Sequence, residues 1–325
     1  MPLTIRCRET KAERKAERQK IGKLEDQRIS PSTTARYQHA LDELCKFNKA
    51  TQSALLRRAD LGDILCAYIE KLWEDGETKS LGSYTMAAVQ FFRPELKGQL
   101  SKPWKLMALW GRLEQPRRAT PLDTSLVLAF AGTFIKWQWP RLACLTIVGF
   151  CGLLRTGEMF QLLRSSVVMP RKLGQPAILF LFNTKTTKRN LLEAEKVIIS
   201  ERTGIDALRY LCQGKRQDEP LVETSSSKFR DLWKDVVQEL QLTQFHYLPY
   251  SLRRGGATCA YREGMSFDLL MAKGRWRNIS TARGYLDQAL QEYAALQLPP
   301  PSLSKIRAAK NVFKAAKLGR VEGEV

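Results

Sequence analysis

Two regimes of apolar spacing divide this chain. In "SPSTTARYQHALDELCKF", Tyr37, Leu41, Leu44 and Phe47 recur at helical intervals, and Ser32 or Thr33 is placed to cap the helix. "LGDILCAYIEKLWE", "SYTMAAVQFF" and "SKPWKLMALWGRLE" repeat the pattern between Gly and Pro breaks. An all-helical block is therefore expected over 30–115, ending at "EQPRRATPLD", where Pro116 and Pro121 flank a basic pair and read as a linker. A second block, 118–298, opens with "TSLVLAFAGTFIKW". The apolar run "LACLTIVGFCGLL" follows, a buried helix too short for the roughly 20 residues a bilayer span needs. The period then shortens. "SSVVM", "AILFLFNT" and "EAEKVIIS" alternate or are β-branched, predicting a small sheet. Helices return at "GIDALRYLCQ", "SSKFRDLWKDVVQELQ", "RGGATCAYREG" and "SFDLLMAKG", and a further element runs to about Gln297. The expected class is mainly α with a small antiparallel β-sheet.

The two ends differ from the body. Residues 1–29, with "KAERKAERQK", mix charges without an apolar stripe and read as a basic, exposed or disordered arm. Beyond "LPPPS", residues 302–325 carry a basic amphipathic pattern, "KIRAAKNVFKAAK", which reads as a tail or helix free to dock on a neighbouring protomer.

Charge changes the picture. Lys and Arg total 53 against 33 acids, a net +20. Each end carries a surplus of four, so most of the excess lies in the body. A surplus of this kind opposes compactness and suits a polyanionic partner, with nucleic acid ranked ahead of a merely solubilising surface. Seven scattered cysteines with no C-x-x-C argue against a disulfide framework or zinc ribbon and for a reducing compartment. The first residues lack an apolar signal core, so secretion is not expected. The pattern calls for no membrane partner.

Several chemistries lose their residues. There is no G-x-x-x-x-G-K-[ST] loop and no G-x-G-x-x-G. The two histidines, His39 and His246, supply neither a His-rich metal site nor a Ser-His-Asp triad. Arginine remains. "CGLLRTGEMFQL" sets Arg155 at the end of the most apolar helix, with Glu158 one turn on, and "YSLRRGGATCA" sets Arg253 before small residues that allow close helix packing. Taken singly, each reads as an internal ion pair or a surface charge. Together with a lysine in "NTKTTKRN" and the tyrosine of "GRWRNISTARGYLDQ", they form a phosphoryl-transfer set. A tyrosine attacks a phosphodiester, two planar guanidiniums offset charge on the phosphorane, and an ammonium protonates the leaving oxygen. The scheme calls for no metal and no cofactor.

These segments, over roughly 118–298, resemble the catalytic domain of the tyrosine recombinase (phage integrase) family. "GLLRTGE" resembles the first arginine box, with Arg155 as the arginine and Glu158 as the supporting acid. "TKTTKRN" resembles the hairpin that carries the catalytic lysine, with Lys185 the better match and Lys188 the fallback. "YSLRRGGAT" resembles the H-x-x-R box, with Arg253 as its arginine, and "KGRWRNISTARGY" resembles the closing segment, with Trp276 at the His/Trp position and Tyr285 as nucleophile. No box is specific alone; their order and spacing carry the likeness. The block over 30–115 is similar in length and helicity to the family's core-binding (SAM-like) domain. The resemblance implies a helical core-binding domain plus a tyrosine-recombinase catalytic domain with the DNA breaking-rejoining fold.

Its implied function is site-specific recombination or integration through a 3′-phosphotyrosyl intermediate, as in a mobile element. Its implied partners are double-stranded DNA and a homo-tetramer formed on it, in the nucleus of a eukaryotic host or the cytoplasm otherwise. Near a phosphodiester, Lys188, Arg189, Arg254, Arg275 and Arg277 are expected as DNA contacts, whereas Trp104, Trp110, Trp137 and Trp233 sit at helical spacing and are expected in cores. One position departs from the family pattern: Tyr250 stands where the H-x-x-R box has histidine. A phenol near pKa ~10 exchanges hydrogen bonds but is a poor base at neutral pH, so Tyr250 is expected in the catalytic set as a residue that holds the phosphate or orients Tyr285. His246, four residues earlier, is the alternative if its loop folds back. Two rivals follow: a decayed mobile-element protein that only binds DNA, and a type IB topoisomerase-like enzyme that religates the same strand.

Overall fold

The computed structural model describes residues 10–115, 117–172, 174–182 and 194–319, and the chain divides into two compact units that meet in sequence between Arg117 and Arg118.

The first unit begins with α1 (Lys11–Ile21). Thr10 accepts from the Glu13 amide and the Glu13 carboxylate accepts from the Thr10 amide at 2.7 Å, a reciprocal cap. No described α1 side chain is buried. The composition is thus a correct guide to the missing core face, but this part of the expected arm is helical: capping and helix-forming residues supply what packing does not. Then come α2 (Pro31–Asn48), α3 (Gln52–Leu56), α4 (Leu61–Glu74), α5 (Lys79–Phe92) and α6 (Ser101–Leu113). The cap of α2 is Ser30 rather than Ser32 or Thr33, because Pro31 supplies the fixed φ of a first helical residue. Leu41, Leu44, Leu65, Met86, Val89 and Trp110 form its core, each contributing roughly 1.5–3 kcal/mol by burial. Trp104 does not join them; it is 40% exposed.

In the second unit, α7 (Thr124–Lys136) and α8 (Pro140–Cys151) pack together at the centre. Asp123 caps α7 through the Leu126 amide at 2.6 Å. After α9 (Thr156–Met159), strands β1 (Val167–Val168), β2 (Ala177–Leu181) and β3 (Glu195–Ile199) form an antiparallel sheet in that order. Ala177 pairs with Ile199 and Leu179 with Val197, so alternate residues face the core. Then follow α10 (Arg202–Cys212), α11 (Ser226–Glu239), α12 (Ser251–Arg262), α13 (Phe267–Gly274), α14 (Ile279–Arg283), α15 (Gln288–Leu296) and α16 (Pro300–Ala316). An aromatic knot of Phe130, Phe134, Phe229 and Trp233 fills the middle, with the Phe130 and Trp233 centroids 4.5 Å apart. The chain is mainly α with one small antiparallel sheet, as its periodicities predict.

Two close approaches shape the frame. A Cβ on Gly255 or Gly256 would overlap the carbonyls of Leu122 or Phe150, so α12 reaches its depth only because both positions lack side chains. Likewise, a Cβ on Gly132 of α7 would overlap the carbonyl of Ala309 in α16. The tail expected to dock on a neighbour is therefore folded onto its own unit. Ile306 is buried in the central core, Ser302 Oγ donates to the Gln241 carbonyl at 2.8 Å, and Lys305 Nζ donates to the Glu239 carbonyl at 2.8 Å. Among the described residues, no helix is long and apolar enough to cross a membrane.

Candidate active site

The site grows from the end of α8. The helix stops at Gly152, and Leu153 enters the left-handed region with φ +47°, a conformation that costs a non-glycine residue of order 1–3 kcal/mol. That turn aims the Leu153 carbonyl at two arginines: it accepts from Arg253 and, at 3.2 Å, from Arg275 Nη2. Arg155, two residues on, precedes α9. Its amide donates to Glu158 at 2.9 Å, and its guanidinium also donates to that carboxylate.

Glu158 is buried and serves two arginines, since Arg275 Nη2 also donates to it at 2.8 Å. Burial alone would push its carboxyl up; Arg275, the Arg155 amide and the Arg155 guanidinium outweigh that and hold it below the usual range. The sequence pairs Glu158 with Arg155 alone. Arg275, expected as a DNA contact, has a side chain only 6% exposed and is committed to this internal pair. Its placement follows from its own left-handed backbone, φ +56°, which caps α13 and turns the side chain inward.

Arg253 is fully buried on the first turn of α12. Its hydrogen bonds go to carbonyls, Leu153 and Gly274, and not to a carboxylate. Burial, then Arg275 and Arg155, lowers its pKa to about 10, which leaves it charged at neutral pH. Its guanidinium carbon lies 5.0 Å from the Trp276 ring centroid and 5.2 Å from that of Tyr285. Trp276 is 7% exposed and packs 4.6 Å, centroid to centroid, from Tyr285. Several buried donors of this site, Arg253 Nε, Arg254 Nε, Arg275 Nε and Nη1, and Trp276 Nε1, have no acceptor among the described residues. A buried donor without a partner is costly, and an anion at this position would relieve that cost.

Tyr285 follows α14 and is half-buried. Tyr250, the residue before α12, is 39% exposed, and its hydroxyl donates to that of Tyr285, with ring centroids 5.6 Å apart. Burial pushes the Tyr285 phenol up, but the hydrogen bond from Tyr250 and the charge of Arg253 bring it below the ordinary tyrosine value. Tyr250 moves the other way, raised by burial and by its bond to Tyr285. His246 instead turns Nδ1 to the Arg118 carbonyl at 3.3 Å.

Arg254 is also withdrawn from the surface. It donates to the Ala119 carbonyl at 2.8 Å and to Asp287 at 3.1 Å, so it too is an internal tie and not an outward charge. Asp287, two residues after Tyr285, also caps α15 through the Leu290 amide at 3.2 Å. Sequence reasoning missed it, although an aspartate opening "DQALQEYAAL" is a helix-start signal. Arg277 is exposed. Lys185, Lys188 and Arg189 lie outside the described residues. Among the described residues, no group of three or more His, Cys, Asp or Glu side chains is placed to hold a metal ion.

No family model matches the sequence, and no curated protein matches it. Solved structures do match. The Tn1549 transposon integrase in complex with transposon right end DNA superposes with a TM-score of 0.57 at 12% identity, over 83% of this chain and 95% of that one. A lambda integrase fragment, crystallised as a dimer bound to a core site, gives 0.56 at 14% identity over 80% and 90%. The XerH site-specific recombinase bound to its palindromic substrate gives 0.56 at 15% identity over 82% and 79%. Identities this low speak for architecture: the chain has the tyrosine recombinase fold.

Proposed function

We propose that this chain is a site-specific DNA recombinase or integrase of the tyrosine type, as a mobile element would carry. One observation supports the reading most. Arg155 and Arg253, which come from distant segments, converge with Trp276 on Tyr285, whose phenol is held below its ordinary pKa. The net charge of +20 and the DNA-bound complexes among the structural relatives point the same way.

In this mechanism Tyr285 Oη attacks the scissile phosphorus and the bond to the 5′-oxygen breaks. The product is a 3′-phosphotyrosyl link and a free 5′-hydroxyl. Arg155 and Arg253 hold the non-bridging oxygens, Trp276 Nε1 offers a further donor, and Tyr250 stands at the rim against the nucleophile. Lys185 protonates the leaving oxygen, with Lys188 as second choice; this role rests on the sequence resemblance. A 5′-hydroxyl from a partner strand then reverses the step, so bond energy is conserved. Double-stranded DNA is the substrate, a homo-tetramer on DNA is the assembly, and Arg277 contacts flanking phosphate.

The test is trapping on a nicked suicide DNA substrate without added metal. The wild-type chain should give a protease-sensitive covalent adduct, and Tyr285→Phe none. The missing histidine favours a second reading, in which the chain binds DNA without cutting it. Gel shifts without adduct, in wild type as in the variant, would select that reading.

A further inference from the structure

Position 250 raises the question of where the nucleophile's proton goes. A histidine there would pass from donor to acceptor near pH ~6.5 and accept a proton in the neutral range. A phenol has one proton to give, and in this site that proton lies on the Tyr285 oxygen.

The two tyrosines are not equivalent. Tyr285 is half-buried between Trp276 at 4.6 Å and the Arg253 guanidinium at 5.2 Å, so positive charge gathers at its ring and oxygen. Tyr250 occupies the open rim and makes its polar contact with Tyr285. Among the described residues, the charged groups facing the pair are Arg253 and Arg254 from α12 and Arg155 from the turn before α9. Arg275 and Glu158 interact with Arg253 from behind. The cations acting on Tyr285 and the donated proton both favour the charged form of that phenol. Arg253 and Arg155 act on Tyr250 as well, but burial and its bond to Tyr285 outweigh them, so its own ionisation is pushed up.

We propose that Tyr250 is a positioning residue acting through Tyr285: its hydroxyl proton fixes the nucleophile's oxygen and stabilises the attacking phenolate, and no imidazole takes the nucleophile's proton. The inference rests on Tyr285 being the nucleophile. In the step it describes, Tyr285 loses its proton to hydroxide or water. The phenolate oxygen then bonds to phosphorus, the bond to the 5′-oxygen breaks, and the leaving oxygen takes a proton from the general acid. Tyr250 keeps its proton throughout. Strand cleavage therefore rises with pH across the neutral range, following ionisation of Tyr285.

Two measurements on the full chain test this. The first needs no DNA: ring-carbon NMR titration of labelled tyrosines, with the Tyr285 signal assigned by its loss in Tyr285→Phe. In Tyr250→Phe, whose rim position tolerates the swap, Tyr285 should titrate about one pH unit higher or more, the scale of losing a hydrogen bond to a charged oxygen. The second is single-turnover adduct formation on nicked DNA across pH 6–9. Tyr250→Phe should be about tenfold slower at pH 7, with the gap closing as pH rises and gel-shift affinity unchanged. Tyr250→His should add an inflection near pH ~6.5. An unmoved Tyr285 titration, or an unchanged rate profile in Tyr250→Phe, overturns the proposal. A wild type that shows the titration shift yet forms no adduct counts against the nucleophile assignment and leaves the tyrosine pair standing.

Discussion

Arg253 and Tyr285 meet face on, the guanidinium carbon 5.2 Å from the ring centroid, while the arginine's terminal nitrogens are tied to the carbonyls of Leu153 and Gly274. The charge beside the tyrosine is thus fixed by the backbone of two other segments. Lysine carries the same charge but not the planar fork that spans both carbonyls. Arg253→Lys should cut adduct formation about a hundredfold and lower the melting temperature, because buried carbonyls lose their donors. Suicide-substrate kinetics and a thermal melt check both halves.

Glu158 gives a pH signature. Its carboxyl is held below the usual range, so the stability it contributes is complete above the unfolded value near ~4.3 and drains away as pH falls through the folded one. Glu158→Gln should cost about 3 kcal/mol at pH 7, where it leaves Arg155 and Arg275 without their carboxylate. The difference from wild type should shrink below pH ~4. Urea midpoints at pH 7 and pH 3.5 decide it; a gap that stays constant would sink the assignment.

Asp287 ties the segment that follows Tyr285 in two ways, capping α15 and holding Arg254. Removing the cap alone costs about 1 kcal/mol. Asp287→Ala should therefore slow adduct formation while leaving DNA affinity close to wild type. Asp287→Asn keeps the cap, loses the charge and should fall between. Equal rates for all three would show that Tyr285 is positioned by other contacts.

Arg275 and Arg277 are two residues apart and differ in kind, one committed to Glu158 and the other exposed. Arg275→Ala should lower the melting temperature clearly. Arg277→Ala should change stability by no more than about 0.5 kcal/mol but flatten the salt dependence of DNA binding, by about one unit of slope per lost phosphate contact. Binding isotherms at several salt concentrations, read beside melts, separate the two roles.

These contrasts mark where sequence reading stops. The helical blocks, the sheet and the convergence of Arg155, Arg253, Trp276 and Tyr285 were legible because each rests on periodicity or on ordered motifs. The inward turn of Arg275 was not, because a left-handed residue at the end of α13 reverses the direction that spacing suggests. Nothing in the composition around Leu153 signals its positive φ, yet its carbonyl organises two arginines. Arg254 shows the same limit, since adjacency to Arg253 could not say that its partners are Ala119 and Asp287. At the ends, composition correctly reported that α1 has no core face and that α16 is amphipathic. It could not report that α16 finds its partner in its own chain.

That last contact bears on how the protein is made. Gly132 and Ala309 touch across nearly the whole second unit, and Ile306 completes the core that α7 and α8 begin. A ribosome delivers α7 well before α16. Until residues 300–316 emerge, the nascent chain carries an uncovered apolar groove on α7. The unit cannot close stepwise behind the exit tunnel, because its core waits for a helix made long after α7 and α8.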